Sequence, residues 1–175
     1  IIEVVAKWIT NPQSSGNILG LCGPPGIGKT KLARKGISKI FNRPFSFISL
    51  GGAQDSSYLL GFEYTYEGAR NGKIVDILIN SKCMDPVIFF DELDKVSKTD
   101  KGEEIINLLV HLTDDTQNCC FQDRYFSGID FDLSKAIFIF SFNKEDEINP
   151  ILKDRMNIIN LNGFNKSDKF IICKD

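Results

Sequence analysis

The 175 residues carry 42% hydrophobic and 25% charged side chains, proportions that fit one α/β domain and exclude a disordered or fibrous chain. Lys plus Arg number 21 against 23 Asp plus Glu, a net charge of −2 that argues against a bulk basic surface for nucleic acid. No apolar stretch approaches the roughly 18 residues of a membrane-spanning helix, so no membrane partner is expected.

Short apolar runs alternate with longer amphipathic ones, the pattern of a parallel sheet flanked by helices. Ile1 to Thr10 reads as a helix stopped at Asn11-Pro12, and Gln13 to Asn17 as a polar loop. Ile18 to Cys22 is a short buried strand running straight into a glycine-rich turn. From Lys29 to about Phe41, Leu32, Ala33, Ile37 and Ile40 recur at helical spacing. Phe45 to Leu50 is a second strand. Gly51 to Gly72 holds five glycines and predicts a long loop with one helical turn. Lys73 to Lys82 is a helix with Ile74, Ile77 and Leu78 on one face. Pro86 to Phe90 is a third strand and Glu103 to Leu112 another helix. Phe121 to Phe131 predicts a hairpin turning near Ser127-Gly128. Ala136 to Phe142 is a fourth strand, Pro150 to Asp154 a short helix and Asn157 to Leu161 a fifth strand.

Gly23-Pro24-Pro25-Gly26-Ile27-Gly28-Lys29-Thr30 satisfies Gly-x-x-x-x-Gly-Lys-Thr, with an apolar strand before it and an amphipathic helix after it. Glycines let the backbone curl so that successive N–H groups face one concavity, and the helix adds its positive end. This is a nucleotide site in which Lys29 reaches the β- and γ-phosphates and the Thr30 hydroxyl ligates Mg²⁺. Asp91-Glu92, at the end of a buried run, supplies an acid that orients Mg²⁺ through its water shell and a general base for the attacking water. Asn143 ends the fourth strand and is expected at the same sheet edge, holding the water or touching the γ-phosphate. Arginine is scarce, and a phosphate clamp supplied to a neighbour must use one of Arg34, Arg43, Arg70, Arg124 and Arg155, of which Arg155, just before the last strand, could project from the domain edge. A surface salt bridge to Asp154 or Glu147 is the competing reading of Arg155.

The five cysteines, Cys22, Cys83, Cys119, Cys120 and Cys173, form no Cys-x-x-Cys pair, and His111 is the single histidine. The usual structural zinc spacings are excluded, and free thiols in a reducing intracellular compartment are expected, the cytoplasm or alternatively the mitochondrial matrix. The chain starts at Ile1 and stops at Asp175, which reads as a fragment with any targeting segment outside it.

Taken together, the Gly23–Thr30 loop, Ile48-Ser49-Leu50-Gly51-Gly52 and Phe90-Asp91-Glu92-Leu93-Asp94-Lys95 resemble the AAA+ ATPases. Further runs are similar to the ATPase module of Lon-type ATP-dependent proteases: Tyr66-x-Gly68, Phe121-x-Asp123-x-Tyr125, Phe131-Asp132-Leu133-Ser134 and Pro150-x-Leu152-x-Asp154-Arg155. The resemblance implies a P-loop NTPase fold of about five parallel strands with a β-hairpin insertion, residues 1–175 forming the large nucleotide-binding subdomain. The helical lid, N-terminal domain and protease domain would lie elsewhere. It further implies ATP and Mg²⁺ as cofactors, Asn143 as the sensor-1 residue, Arg155 as the arginine finger of a hexameric homo-oligomer, and Tyr66 as the pore-loop aromatic gripping an unfolded polypeptide. Leu60, Phe62, Glu63, Tyr64, Glu67 and Gln54 depart from the family's basic and apolar pattern. Two roles stay open on that account: a substrate-threading motor, or a protease-less remodelling factor or ATP-binding assembly module.

Overall fold

A computed structural model describes residues 18–53, 55–65 and 67–165, with Ala6, Thr10 and Lys169. The helix expected from Ile1 to Thr10 therefore lies almost wholly outside the described residues, as do Gln54, Tyr66 and Cys173.

Five strands form one sheet: β1 (Ile18–Cys22), β2 (Phe45–Ser49), β3 (Val87–Asp91), β6 (Ile137–Phe142) and β7 (Asn157–Asn160), in the order β2-β3-β6-β1-β7. Every pairing is parallel. β1 and β6 are buried along their whole length, and β3 up to Asp91, because helices cover both faces of the sheet. That double burial is why these strands read as unbroken apolar runs. The two-residue period still sorts the side chains. Ile88, Phe90, Phe138, Phe140 and Phe142 pack on one face with Ile74, Ile77, Ile105 and Leu109, while Val87, Phe89, Ile137 and Ile139 pack on the other with Ala33 and Ile37. The rings of Phe90 and Phe140 stack at 4.9 Å on neighbouring strands. The edge strands β2 and β7 are only partly buried.

Helix α1 (residues 29–41) follows β1, α2 (Ser57–Leu60) is the single turn expected in the long loop, and α3 (Lys73–Ser81) and α4 (Asp100–Leu112) cover one face. Helix α5 (Pro150–Arg155) precedes β7, with Asn149 Oδ1 accepting from Ile151 N at its start. The hairpin pairs β4 (Phe121–Gln122) with β5 (Asp130–Phe131), joining Phe121 to Phe131. Two details differ from the sequence expectation. Ile40 is 56% exposed, not on the core face. The middle of α1, Leu32–Ile37, is a π-helix in which Ser38 N donates to Ala33 O five residues back, and its wider turn rotates Ile40 out while Phe41 packs inward. Helix α4 also starts three residues earlier than Glu103. Thr99 is extended, and Asp100 and Glu103 sit in the first turn, where carboxylates oppose the helix dipole.

Candidate functional site

Strand register assembles the site. Cys22 pairs with Phe142, so the Gly23 loop leaves the sheet beside Asn143, and Gly23 N donates to Phe142 O at 3.2 Å. Phe90 pairs with Phe140, so Asp91 emerges beside Ser141. Three strands thus deliver their last residues, and those just after them, to one carboxyl edge, where ligands collect in open α/β sheets. The edge holds a cavity of about 440 Å³ lined by Gly26, Gly28, Lys29, Thr30, Asp91, Glu92, Asp94, Ser141 and Asn143, among others.

Gly26 and Gly28 have φ of 79° and 86°, left-handed values at which a side chain is strained, so glycine is required for the loop to curl ahead of α1. Lys29, nearly buried at 9% exposure, spans the mouth of the loop. Its Nζ donates to Gly23 O at 2.5 Å, to Phe142 O at 3.3 Å and to Asn143 Oδ1 at 2.8 Å. Burial pulls the Lys29 ammonium below its usual range, and the charges of Asp91 and Asp94 oppose that pull. Lys29, Thr30, Asp91, Glu92 and Asn143, all expected at one site, line this one cavity together.

Glu92 has φ of 60°, a left-handed conformation uncommon outside glycine and strained by about 1–3 kcal/mol. The next residue, Leu93, is 3% exposed and pins the turn in the core. Leu50 N donates to Asp91 O at 2.9 Å, which brings Gly51 beneath Glu92. A Cβ on Gly51 would collide with the Glu92 carboxylate. Gly51 therefore has a local reason: it leaves room for the acid.

Ser141 and Asp94 join the site with no motif of their own to mark them. Ser141 Oγ donates to Asp91 Oδ1, which also accepts from Glu92 N at 3.1 Å, so that oxygen is fixed from two sides. The available signal was a hydroxyl inside an otherwise apolar strand. Asp94 Oδ2 accepts from Asn143 N at 3.2 Å, and its Oδ1 is buried with no partner among the described residues. Asp94 therefore orients Asn143 and adds negative charge beside Lys29.

Arg155 does not line the cavity. It folds back on its own domain, with Nη1 donating to Val110 O at 2.5 Å and Nη2 paired with Asp114 Oδ2 at 2.9 Å. Its partner is thus Asp114, not Asp154 or Glu147, and it caps the Val110 carbonyl in the last turn of α4, where a cation is favoured. The loop expected to carry Tyr66 closes by a bridge between Gly61 and Asn71, and Phe62 N donates to Arg70 O at 3.0 Å. Tyr66 itself lies outside the described residues, while its neighbour Tyr64 is 68% exposed. At the base of that loop Asp123, 1% exposed, accepts from Gly72 N at 2.7 Å and Tyr125 N at 2.9 Å, tying loop to hairpin.

The family model described as "ATPase family associated with various cellular activities (AAA)" matches residues 19–163, from β1 to just beyond β7. The chain belongs to the AAA ATPase family. Within AAA proteins it is similar to Lon protease homologues. It is 47% identical to the Lon protease homolog of Acanthamoeba polyphaga mimivirus, over 100% of this chain and 17% of that protein. Lon protease 2 of Bdellovibrio bacteriovorus is 40% identical over 99% of this chain and 21% of its own length. Lon protease homolog 2, peroxisomal, of Caenorhabditis elegans is 39% identical over 100% and 22%. The chain spans about a fifth of the length of these relatives. No helix among the described residues is long and apolar enough to cross a membrane.

The donor set suits a nucleotide with a hard cation. Curled backbone N–H groups, Lys29 and a helix start favour phosphate, and the Thr30 hydroxyl and Asp91 carboxylate are oxygen donors of the kind Mg²⁺ takes alongside phosphate oxygens.

Proposed function

We propose that this AAA domain binds and hydrolyses ATP, and that in a hexameric ring of copies it drives unfolding and threading of polypeptides for a Lon-type protease. The observation carrying the hydrolysis is the convergence of Lys29, Asp91, Glu92 and Asn143 on one cavity from three strand ends. Lys29 would exchange its carbonyl partners for phosphate oxygens and offset their charge. Glu92 would take the proton of the attacking water, and Asn143, held by Asp94, would position that water or the γ-phosphate. A bound Mg²⁺, held by Thr30 and through water by Asp91, supplies neutralisation of charge on the phosphate oxygens. Arg155, released from Asp114, would serve the site of a neighbouring copy, and such fingers are worth roughly 10³–10⁵ in rate. Tyr66 would grip the polypeptide. Residues 1–175 would act as the large nucleotide-binding subdomain, in a reducing compartment such as the cytoplasm or mitochondrial matrix.

The second reading, an ATP-binding remodelling or assembly module that threads poorly, draws support from Glu63 and Glu67 flanking the exposed Tyr64 in the loop. Calorimetry with Mg-ATP and phosphate release by wild type and Glu92→Gln test the proposal. Binding in both with turnover only in wild type is expected. No heat from a folded sample, or equal turnover, would overturn it. An active ATPase that fails to unfold a tagged substrate would favour the second reading.

A further inference from the structure

Cys119 and Cys120 occupy the single 3₁₀ turn Asn118–Cys120 that links the end of α4 to β4. Both are exposed free thiols, and their sulfurs lie 3.5 Å apart. We propose that this pair is a vicinal-dithiol modification site: it closes to a disulfide against small-molecule disulfides and is bridged by trivalent arsenicals.

A disulfide needs sulfurs about 2.0 Å apart, so closure requires the turn to draw them together. The turn can yield. Among the described residues Cys119 Sγ has, besides its neighbour, a single long contact to Thr116 O at 3.8 Å. Asn118, 6% exposed at the foot of the turn, keeps Oδ1 buried without a partner among the described residues. A turn with an unsatisfied buried acceptor loses less on rearranging than a fully paired one. The resulting bond, strained and exposed, belongs to the readily reduced kind, which makes the modification reversible.

The Cys120 thiol is held above the usual cysteine range, first by its hydrogen bond to Cys119 and further by Asp130 and Asp132 across the hairpin. Either sulfur can open the exchange, for instance that of Cys119. Its thiolate attacks one sulfur of oxidised glutathione, that S–S bond breaks, and one glutathione leaves as thiolate. Cys120 gives its proton to water and attacks Cys119 Sγ, breaking the mixed disulfide and releasing the second glutathione. Two protein thiols are oxidised and one small disulfide is reduced.

The same turn seats Arg155. Asp114 accepts from Thr116 N at 2.9 Å and pairs with Arg155 at 2.9 Å, while its carbonyl accepts from Asn118 N at 2.8 Å. Closing the ring next to Asn118 loosens this seat. The effect on turnover rests on the proposed trans role of Arg155, but the thiol chemistry does not.

The test treats the chain with oxidised glutathione, quenches in acid and maps peptides by mass spectrometry. The peptide holding both cysteines should lose two hydrogens without gaining glutathione, whereas Cys120→Ser should retain glutathione on Cys119. Phenylarsine oxide should protect both thiols from iodoacetamide in wild type, with the protection lost in Cys119→Ser and in Cys120→Ser. Wild type that accumulates glutathione on the pair, stays unmodified, or gains no arsenical protection overturns the proposal. Faster hydrogen exchange over residues 113–120 after closure is expected, and an unchanged rate there overturns the coupling to Arg155.

Discussion

Lys29 Nζ donates to Asn143 Oδ1 at 2.8 Å, joining residues 114 positions apart into one polar unit at the carboxyl edge of the sheet. Asp94 completes it by accepting from Asn143 N at 3.2 Å. The P-loop lysine and the strand-end amide are therefore held in one hydrogen-bonded unit by the pairing of β1 with β6.

Replacing Asn143 tests that unit. Asn143→Ala removes an acceptor of the Lys29 ammonium and the group proposed to meet the water or γ-phosphate. Turnover is expected to fall roughly 10²–10³-fold, the usual effect of removing one preorganised polar group, while Mg-ATP affinity changes far less. Steady-state kinetics with calorimetry check this, and a loss confined to affinity would contradict it.

Gly51 offers a second test, away from the phosphates. In Gly51→Ala the new methyl meets the Glu92 carboxylate and displaces it. Misplacing a catalytic group by about 1 Å costs on the order of 10²-fold in rate. Turnover should fall by that order with nucleotide affinity intact, and the melting temperature should move little, since Glu92 is exposed.

Asp123 is a stability prediction. Its buried carboxylate accepts backbone N–H groups from Gly72 and Tyr125, with Phe126 N at 3.4 Å. Asp123→Ala leaves those donors unpaired in the interior and should cost about 3 kcal/mol, or roughly 6–12 °C in melting temperature. Thermal melts, with hydrogen exchange on the loop closed by Gly61 and Asn71, measure it.

Acid should weaken the turn after α4. The Asp114 carboxyl is held below the usual carboxylate range, first by the Thr116 hydroxyl, then by Thr116 N–H and Arg155. The hydroxyls of Ser57 and Ser134 do the same for Asp55 and Asp132. Their folded pKa values lie below the unfolded ones, so their stabilisation is complete above about pH 4 and is lost as pH falls through the folded values. Urea midpoints should drop on acidification below about pH 4, less steeply in Asp114→Asn. Equal slopes would remove Asp114 from the account.

Much of the site was legible because its signals are local. The glycine spacing before Lys29-Thr30 and the acidic pair at the end of an apolar run each lie within one strand–turn unit, so their chemistry follows from order along the chain. Ser141, Asp94 and Asp123 were not legible in the same way. Each acts on a residue of a different element, and a hydroxyl or carboxylate carries no mark of the partner that register brings to it. The outward turn of Ile40 was hidden for a related reason: helical periodicity assumes a regular turn, and the π-helical stretch Leu32–Ile37 breaks it.

The amino-acid order alone determined the alternation of elements, the curl at Gly26 and Gly28, and the residues offered to a phosphate, because backbone preference and short-range polarity act over a few positions. Only the tertiary structure decided that Asn143 would hold Lys29, that Ser141 would fix Asp91, and that Arg155 would rest on Asp114. Those contacts depend on which strands pair and in what register, and that is set by burying both faces of the sheet at once.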